Sequence, residues 1–171
     1  MRLDHLAVAA GTLAEGVAAV EAALGMGLPS GGQHLAMGTH NRLLGLGDVY
    51  LEVIAVDPSL PGPGRPRWFD LDRFRGPPRL SNWIVAAALV DVPAAGVPMH
   101  FARGDLRWQM AVPEDGLLPF DGAFPALIQW AGSTHPNKVL PDSVARLMRL
   151  EIALPDAEAL RVALADLVDP R

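Results

Sequence analysis

Hydrophobic and polar positions alternate most regularly between Gly38 and Ile54, GTHNRLLGLGDVYLEVI. The run reads as two strands joined at Gly45-Leu46-Gly47-Asp48, where Gly and Asp tolerate the positive backbone angles of a tight turn. Period-2 alternation puts Tyr50, Glu52 and Ile54 on one face of the second strand and Val49, Leu51 and Val53 on the other. The same rule groups His40, Arg42, Leu44 and Leu46 on one face of the first strand. Upstream, Leu3 to Ala9 is a short apolar strand that carries His5 on the face of Leu3, Ala7 and Ala9. Thr12 and Glu15 have the spacing of a capping box. Leu13, Val17, Val20 and Leu24 then mark a helix that stops at Gly25. With a further strand expected between Gly32 and Met37, the first third of the chain reads strand–helix–strand–strand–strand.

The segment from Asp57 to Pro78 breaks this patterning with prolines and glycines and reads as a linker or a loop folded over something. Trp68, Phe69 and Phe74 need cover, so its middle is expected to be docked. Its cationic run, Arg65, Arg67, Arg73, Arg75 and Arg79, alternates with Asp70 and Asp72 and reads as solvated. Beyond it the pattern recurs. A shift of 77 residues lays Leu80–Ala86 on Leu3–Ala9 and Leu127–Ala131 on Tyr50–Ile54, which sets Asn82 against His5 and Gln129 against Glu52. The second unit has Asp91 to Gly96 in place of the helix, and a middle strand, Leu106 to Val112, with Trp108 and Met110 on one face. Met148 to Leu154 is expected as a last strand, followed by a helix capped by Asp156 with Leu160, Leu164 and Leu167 on its stripe. The expected organisation is one α+β domain over residues 1–171. It divides into a first βαβββ module (1–56), a Pro/Gly-rich linker loop (57–79), a second, abbreviated module (80–131) and a terminal strand–helix unit (145–169).

Composition narrows the chemistry. Half the residues are hydrophobic, enough for a core, and the 17 Gly and 16 Pro favour turns over long helices. A net charge of −5 with scattered basic residues argues against nucleic acid as a partner. With no cysteine there is no disulfide, no thiolate ligand and no cysteine nucleophile. The absence of a long apolar run leads to the expectation of a cytoplasmic protein without membrane partners.

Glu52 sits inside an apolar strand, where an isolated carboxylate is costly, so it must be solvated, paired or bound. A buried His5–Glu52 hydrogen bond is the simplest arrangement. A substrate or metal contact in a cleft is the rival. Arg42 reads either as a surface arginine or as a clamp for a carboxylate or phosphate. Trp108 and Trp130 read as core or cleft wall, and His135 before Pro136 as a structural turn.

Taken together, Leu3-Asp4-His5-Leu6, Gly38-Thr39-His40-Asn41-Arg42-Leu43, Tyr50-Leu51-Glu52, Leu106-Arg107-Trp108, Ile128-Gln129-Trp130 and His135-Pro136 give the chain a pattern that resembles the vicinal oxygen chelate superfamily and its glyoxalase-like group. The resemblance implies paired βαβββ modules whose curved mixed sheets enclose a cleft. It also implies a small oxygenated ligand there, and admits a homodimer. His5 and Glu52 match the metal-ligand positions of the first module, a sound pair for one Fe, Mn, Zn or Ni ion. In the second module the matching positions are Asn82 and Gln129, so the resemblance implies weak or partial metal occupancy, completed by His40, water or ligand. The implied roles are catalysis by Glu52 and His5, and substrate contact by His40, Arg42, Trp108 and Gln129. The implied functions are a metal-assisted lyase, isomerase or dioxygenase, or a metal-free protein that binds or sequesters a small molecule.

Overall fold

The computed structural model describes residues 1–89 and 93–171. Strand β1 (Arg2–Ala9) leads to helix α1 (Leu13–Leu24), and β2 (Gly32–His34), β3 (Thr39–Gly45) and β4 (Tyr50–Val56) follow. The second half supplies β5 (Arg79–Ala86), β6 (Val97–Arg103), β7 (Leu106–Val112) and β8 (Ala126–Trp130), and then two short helices, α2 (Pro136–Val139) and α3 (Ala157–Ala163). The start of the Asp91–Gly96 connection lies outside the described residues, and Pro93–Ala95 forms one 3-10 turn.

All eight strands belong to one sheet, ordered β2-β3-β4-β1-β5-β8-β7-β6. Each half has the same wiring: its first and last strands pair parallel, and its remaining strands join as antiparallel neighbours. The halves meet where β1 pairs antiparallel with β5, with His5 opposite Ile84 and Ala7 opposite Asn82. That reciprocal register is a pseudo-twofold relation at the 77-residue offset. The sheet curls until its two edges nearly meet, where Arg103 of β6 reaches His34 of β2 and Asn41 of β3. The barrel-like cleft so formed faces inward from the row of Tyr50, Glu52, His5, Asn41, Trp108 and Trp130.

Local sequence explains how α1 is set on the outer face. Thr12 and Glu15 complete the capping box, and Gly25 takes the left-handed cap at φ 67°. Gly16 lets the helix approach the sheet closely: a Cβ there would lie 2.6 Å from Val53 Cγ1 and 2.8 Å from Ala10 Cβ. The stripe is shorter than periodicity suggests, since Val20 is buried but Leu24 is exposed. The loop after β4 is docked. Its segment Trp68–Arg73 makes 3-10 turns that bury Trp68, Phe69 and Leu71, and its arginines tie it down: Arg67 pairs with Asp72 at 2.5 Å and Arg65 Nη2 donates to Pro113 O at 2.6 Å. Arg65 and Arg67 are thus staples, while Arg73, Arg75 and Arg79 are exposed as a solvated run would be.

Met148–Leu154 stays extended but joins no ladder. Its alternate apolar side chains, Leu150, Ile152 and Leu154, lie against the core. Side-chain packing, not a hydrogen-bond ladder, holds this segment. Leu160 and Leu164 of α3 are buried in the same cluster.

Candidate functional site

Alternation in β1 and β4 brings His5 and Glu52 to the concave face, with His5 Nε2 3.6 Å from Glu52 Oε2. Both are buried. A β-bulge between Leu3 and His5 re-aims Asp4, which regular alternation would send to the far face. His5 Nδ1 consequently donates to Asp4 Oδ1 at 2.7 Å, and this fixes the tautomer whose Nε2 faces Glu52. Trp130 Nε1 and His135 Nε2 both donate to Asp4 Oδ2 at 3.0 Å. Tyr50 stacks on the His5 ring at 4.3 Å.

The far side of Glu52 is equally engaged. Asn41 Nδ2 donates to Glu52 Oε1 at 2.5 Å, and His34 Nε2 lies 4.0 Å from the same oxygen. Arg103 Nη1, 3.2 Å away, and Asn41 Nδ2, 3.3 Å away, both approach His34 Nε2, so that nitrogen accepts and Nδ1–H donates to Thr39 Oγ1. Hydrogen bonds link His135 through Asp4 to His5 and Arg103 through Asn41 to Glu52, and a His5–Glu52 ion-pair contact at 3.6 Å joins the two halves of the cluster.

Its protonation follows from these contacts. Burial alone would raise the Glu52 carboxyl, but hydrogen bonds and charge from His5 outweigh it and hold the group at about 2. Burial likewise opposes ionisation of Asp4, and its bonds from His135 and His5 keep it well below the usual carboxylate range. Burial would lower His5, yet the two carboxylates flanking it raise it. His34, desolvated and beside Arg103, falls to about 4 and stays neutral. Burial and the charge of Asp4 push the Tyr50 phenol up.

These side chains enclose a cavity of about 30 Å³, walled also by Trp68, Phe69 and Met110. It has room for a water, an ion or the oxygenated end of a ligand. Trp68 Nε1 is buried there with no hydrogen-bond partner among the described residues.

The sequence-derived candidates divide sharply. His5, Glu52 and Trp108 line the cleft. His40 and Arg42 do not. Register pairs Glu52 with Leu43 and Ile54 with Asn41, so Asn41 and Leu43 share the cleft face. His40 and Arg42 point to the outer, helix-covered side, where His40 Nδ1 lies 3.4 Å from Asp57 and Arg42 Nη1 donates to Leu28 O at 3.2 Å. Gln129 also faces outward: it is exposed, and its Oε1 accepts from Leu89 N at 3.0 Å. The reason is a change of register. Ala7 pairs with Glu52, while its counterpart Ile84 pairs with Ala126. The second-half equivalent of Glu52 is therefore Ala126, three residues earlier than the constant offset requires, and an odd shift turns Gln129 to the other face. Conversely, Asp4, His34, Asn41, Arg103 and His135 join the site. Pairing Asn41 with Ile54 across the hairpin would have found one of them; the bulge at Asp4 and the seam at Arg103 leave no local signal.

The donor set fits a loosely held divalent ion. His5 Nε2 and the Glu52 carboxylate would hold it, with Asp4 behind the imidazole as the orienting carboxylate. It does not fit a four-ligand cage. The second half offers Asn82 and Ala126 at the matching positions, the His34 lone pair is already used by Arg103 and Asn41, and no cluster of three or more His, Asp or Glu suited to a metal occurs among the described residues.

Two βαβββ-type halves sharing one curled sheet, with a histidine–carboxylate pair on its concave face, define the paired-module cleft class of proteins. Within that class the chain belongs to the family described as glyoxalase-like domain, whose sequence pattern matches residues 3–168. One solved structure agrees on the fold. A hypothetical protein from Staphylococcus aureus aligns over 80% of this chain and 62% of its own length, at 18% identity and TM-score 0.53. This chain thus spans less than two thirds of that relative. Methylmalonyl-CoA epimerase from Mycobacterium tuberculosis aligns over 77% of this chain and 88% of its own, at 18% identity and TM-score 0.48. A single-residue variant of the Streptomyces coelicolor methylmalonyl-CoA epimerase, in complex with 2-nitronate-propionyl-CoA, aligns over 78% and 99% respectively, at 16% identity and TM-score 0.47. A comparison with curated proteins finds no match. No helix among the described residues is long and apolar enough to cross a membrane.

Proposed function

We propose that this protein binds a small oxygenated molecule in the cleft between its halves and that His5 and Glu52 are the pair that acts on it. The observation that carries this reading is the buried Asp4–His5–Glu52 chain facing a cavity large enough for the oxygenated end of a ligand. Two carboxylates flank one imidazole away from water, so Glu52 is ionised and the proton rests on His5, whose Nε2 lies 3.6 Å from Glu52 Oε2. His5 is suited to give that proton to a carbonyl oxygen, and Glu52 to take one from the adjacent carbon. This is the chemistry of an isomerase or lyase. A divalent ion on the same two groups would supply Lewis-acid polarisation of neighbouring oxygens. Asp4 keeps the imidazole in one orientation, and Trp68, Trp108 and Trp130 exclude water.

A second reading, a metal-free binding or sequestering protein, draws support from Arg103 and Asn41. They already give His34 and Glu52 hydrogen-bond partners from the protein itself. One experiment separates the two: elemental analysis of protein purified without chelator, followed by thermal-shift titration with Zn, Mn and Fe(II). Partial metal content, with divalent stabilisation that disappears in His5→Ala, is the expected result. Stoichiometric metal that survives His5→Ala and Glu52→Gln would reduce the pair to packing residues.

A further inference from the structure

The cavity at His5 and Glu52 is too small for a whole substrate, so the rest of the molecule needs a place. Beside it lies a larger pocket of about 280 Å³, walled by Phe69, Phe74, Leu118, Arg79, Asn82 and Asp121. Its volume approaches that of ordinary small-ligand sites. Asn82 is the unusual member. It is 6% exposed, its carboxamide makes no side-chain hydrogen bond among the described residues, and its polar atoms are not among those sealed from solvent, so what surface it keeps is open. Buried amides are normally paired, because an unmet donor or acceptor is costly. Asn82 meets this requirement only through what enters the pocket it lines, water or a ligand group.

Two further observations tie this pocket to the polar cluster. Glu52, Ala7 and Asn82 lie in one cross-strand row, Ala7 pairing with both neighbours. Adjacent strands are about 4.8 Å apart, so the Cα atoms of Glu52 and Asn82 are roughly 10 Å apart, with only a methyl group between them. Phe69 walls both cavities and is the partition separating them. It is held at φ 59°, in the left-handed region that bulky residues rarely adopt, and so is its neighbour Asp70 at φ 54°. Asp121, at φ 52°, lines the same pocket from the opposite loop. Such conformations persist where the surroundings enforce them, and they cluster at ligand clamps.

The charges say what class of group fits. Arg73 is neutralised by Asp70 at 2.6 Å, and Arg79 faces a rim that also carries Asp121. With two arginines set against two aspartates on its wall, a neutral carbonyl suits Asn82 better than a carboxylate, and an amide matches both its donor and its acceptor. Phe69, Phe74 and Leu118 favour a flat apolar body.

We infer that this pocket is the specificity pocket of the site: it holds the apolar body and a neutral amide or ketone of the substrate through Asn82, while Phe69 yields to let the reactive oxygens reach His5 and Glu52. The link to His5 and Glu52 rests on the function proposed above; the pocket itself does not. Benzamide is a suitable probe, with benzoate as its charged counterpart, followed by amide and imidazole NMR shifts on the whole chain. Benzamide is expected to shift the Asn82 side chain and Phe69, and to bind more tightly than benzoate. Asn82→Leu should weaken it about tenfold, the scale of one lost hydrogen bond, and Leu118→Trp, which fills the pocket, should abolish it. In Phe69→Ala the benzamide shifts should extend to the His5 imidazole, and His5→Ala should leave binding in the pocket unchanged. Shifts elsewhere, tighter benzoate binding, or indifference to Asn82→Leu would overturn the pocket while leaving the histidine–carboxylate pair untouched. Binding through Asn82 that never reaches His5 in Phe69→Ala would overturn the connection.

Discussion

At the scale of single residues, the site is a balance of buried charges, and acid should expose it. The Glu52 carboxyl is held at about 2, below its ordinary value near 4.5, so its stabilising contribution is complete above 4.5 and is lost as pH falls toward 2. His34, held at about 4 instead of 6.5, takes up its proton more readily in the unfolded chain, so stability is lost as pH falls from 6.5 through 4. His5 has the opposite sign: its raised value contributes below 6.5, and the contribution fades as pH rises through the folded-state value. Unfolding free energies from urea titrations between pH 7 and 4 should therefore fall toward acid, with a contribution on the order of 3 kcal/mol from His34. Removing the His34 imidazole should flatten that limb. Glu52→Ala strands His5 and Asn41 in the interior and should cost roughly 3–5 kcal/mol at neutral pH, read from the same denaturation curves. Glu52→Gln keeps the hydrogen-bonding shape and should cost less.

Among the elements, α1 is positioned by one contact that its periodicity does not announce. Gly16 lies where a Cβ would press into Val53 and Ala10, so the helix sits closer to β4 than its leucine and valine stripe alone would allow. Gly16→Leu should lift the helix and cost about 1–3 kcal/mol by overpacking, despite leucine's better helix propensity. A thermal melt distinguishes this from a propensity effect, which would raise stability. The turn between β3 and β4 illustrates the converse. Gly47 sits at φ 95° and Leu46 N donates to Val49 O at 2.9 Å, as expected of Gly-Asp turn chemistry.

For the molecule as a whole, closure is the decisive event. The sheet is not sealed by a ladder between its two edge strands, and Arg103 does that work with side-chain hydrogen bonds to His34 and Asn41. Arg103→Ala should loosen the seam, raising amide exchange in β2 and β6 while leaving β1, β4 and β5 protected. Uniform protection across all eight strands in that variant would show that packing beneath the seam is sufficient. Met148–Leu154 has the alternation of a strand yet joins no ladder, and is held instead by the packing of Leu150, Ile152 and Leu154.

What the sequence determined by itself was local and periodic. The capped helix, the hairpin at Gly47 and the faces that carry His5 and Glu52 follow from alternation within a strand or from backbone chemistry at a turn, neither of which needs a partner, and the two-half arrangement follows from the 77-residue repeat. Tertiary structure decided everything that depends on register between distant strands. The bulge that turns Asp4 toward His5, the three-residue slip that replaces Gln129 with Ala126, and the pairing that admits Asn41 while excluding His40 and Arg42 are each set by which hydrogen-bond ladder closes. A strand's faces differ by one residue, so one slip in a ladder exchanges the cleft for the outer surface. Arg103 meets His34 across 69 residues of chain only because the sheet curls back on itself, and no window of sequence spans that distance.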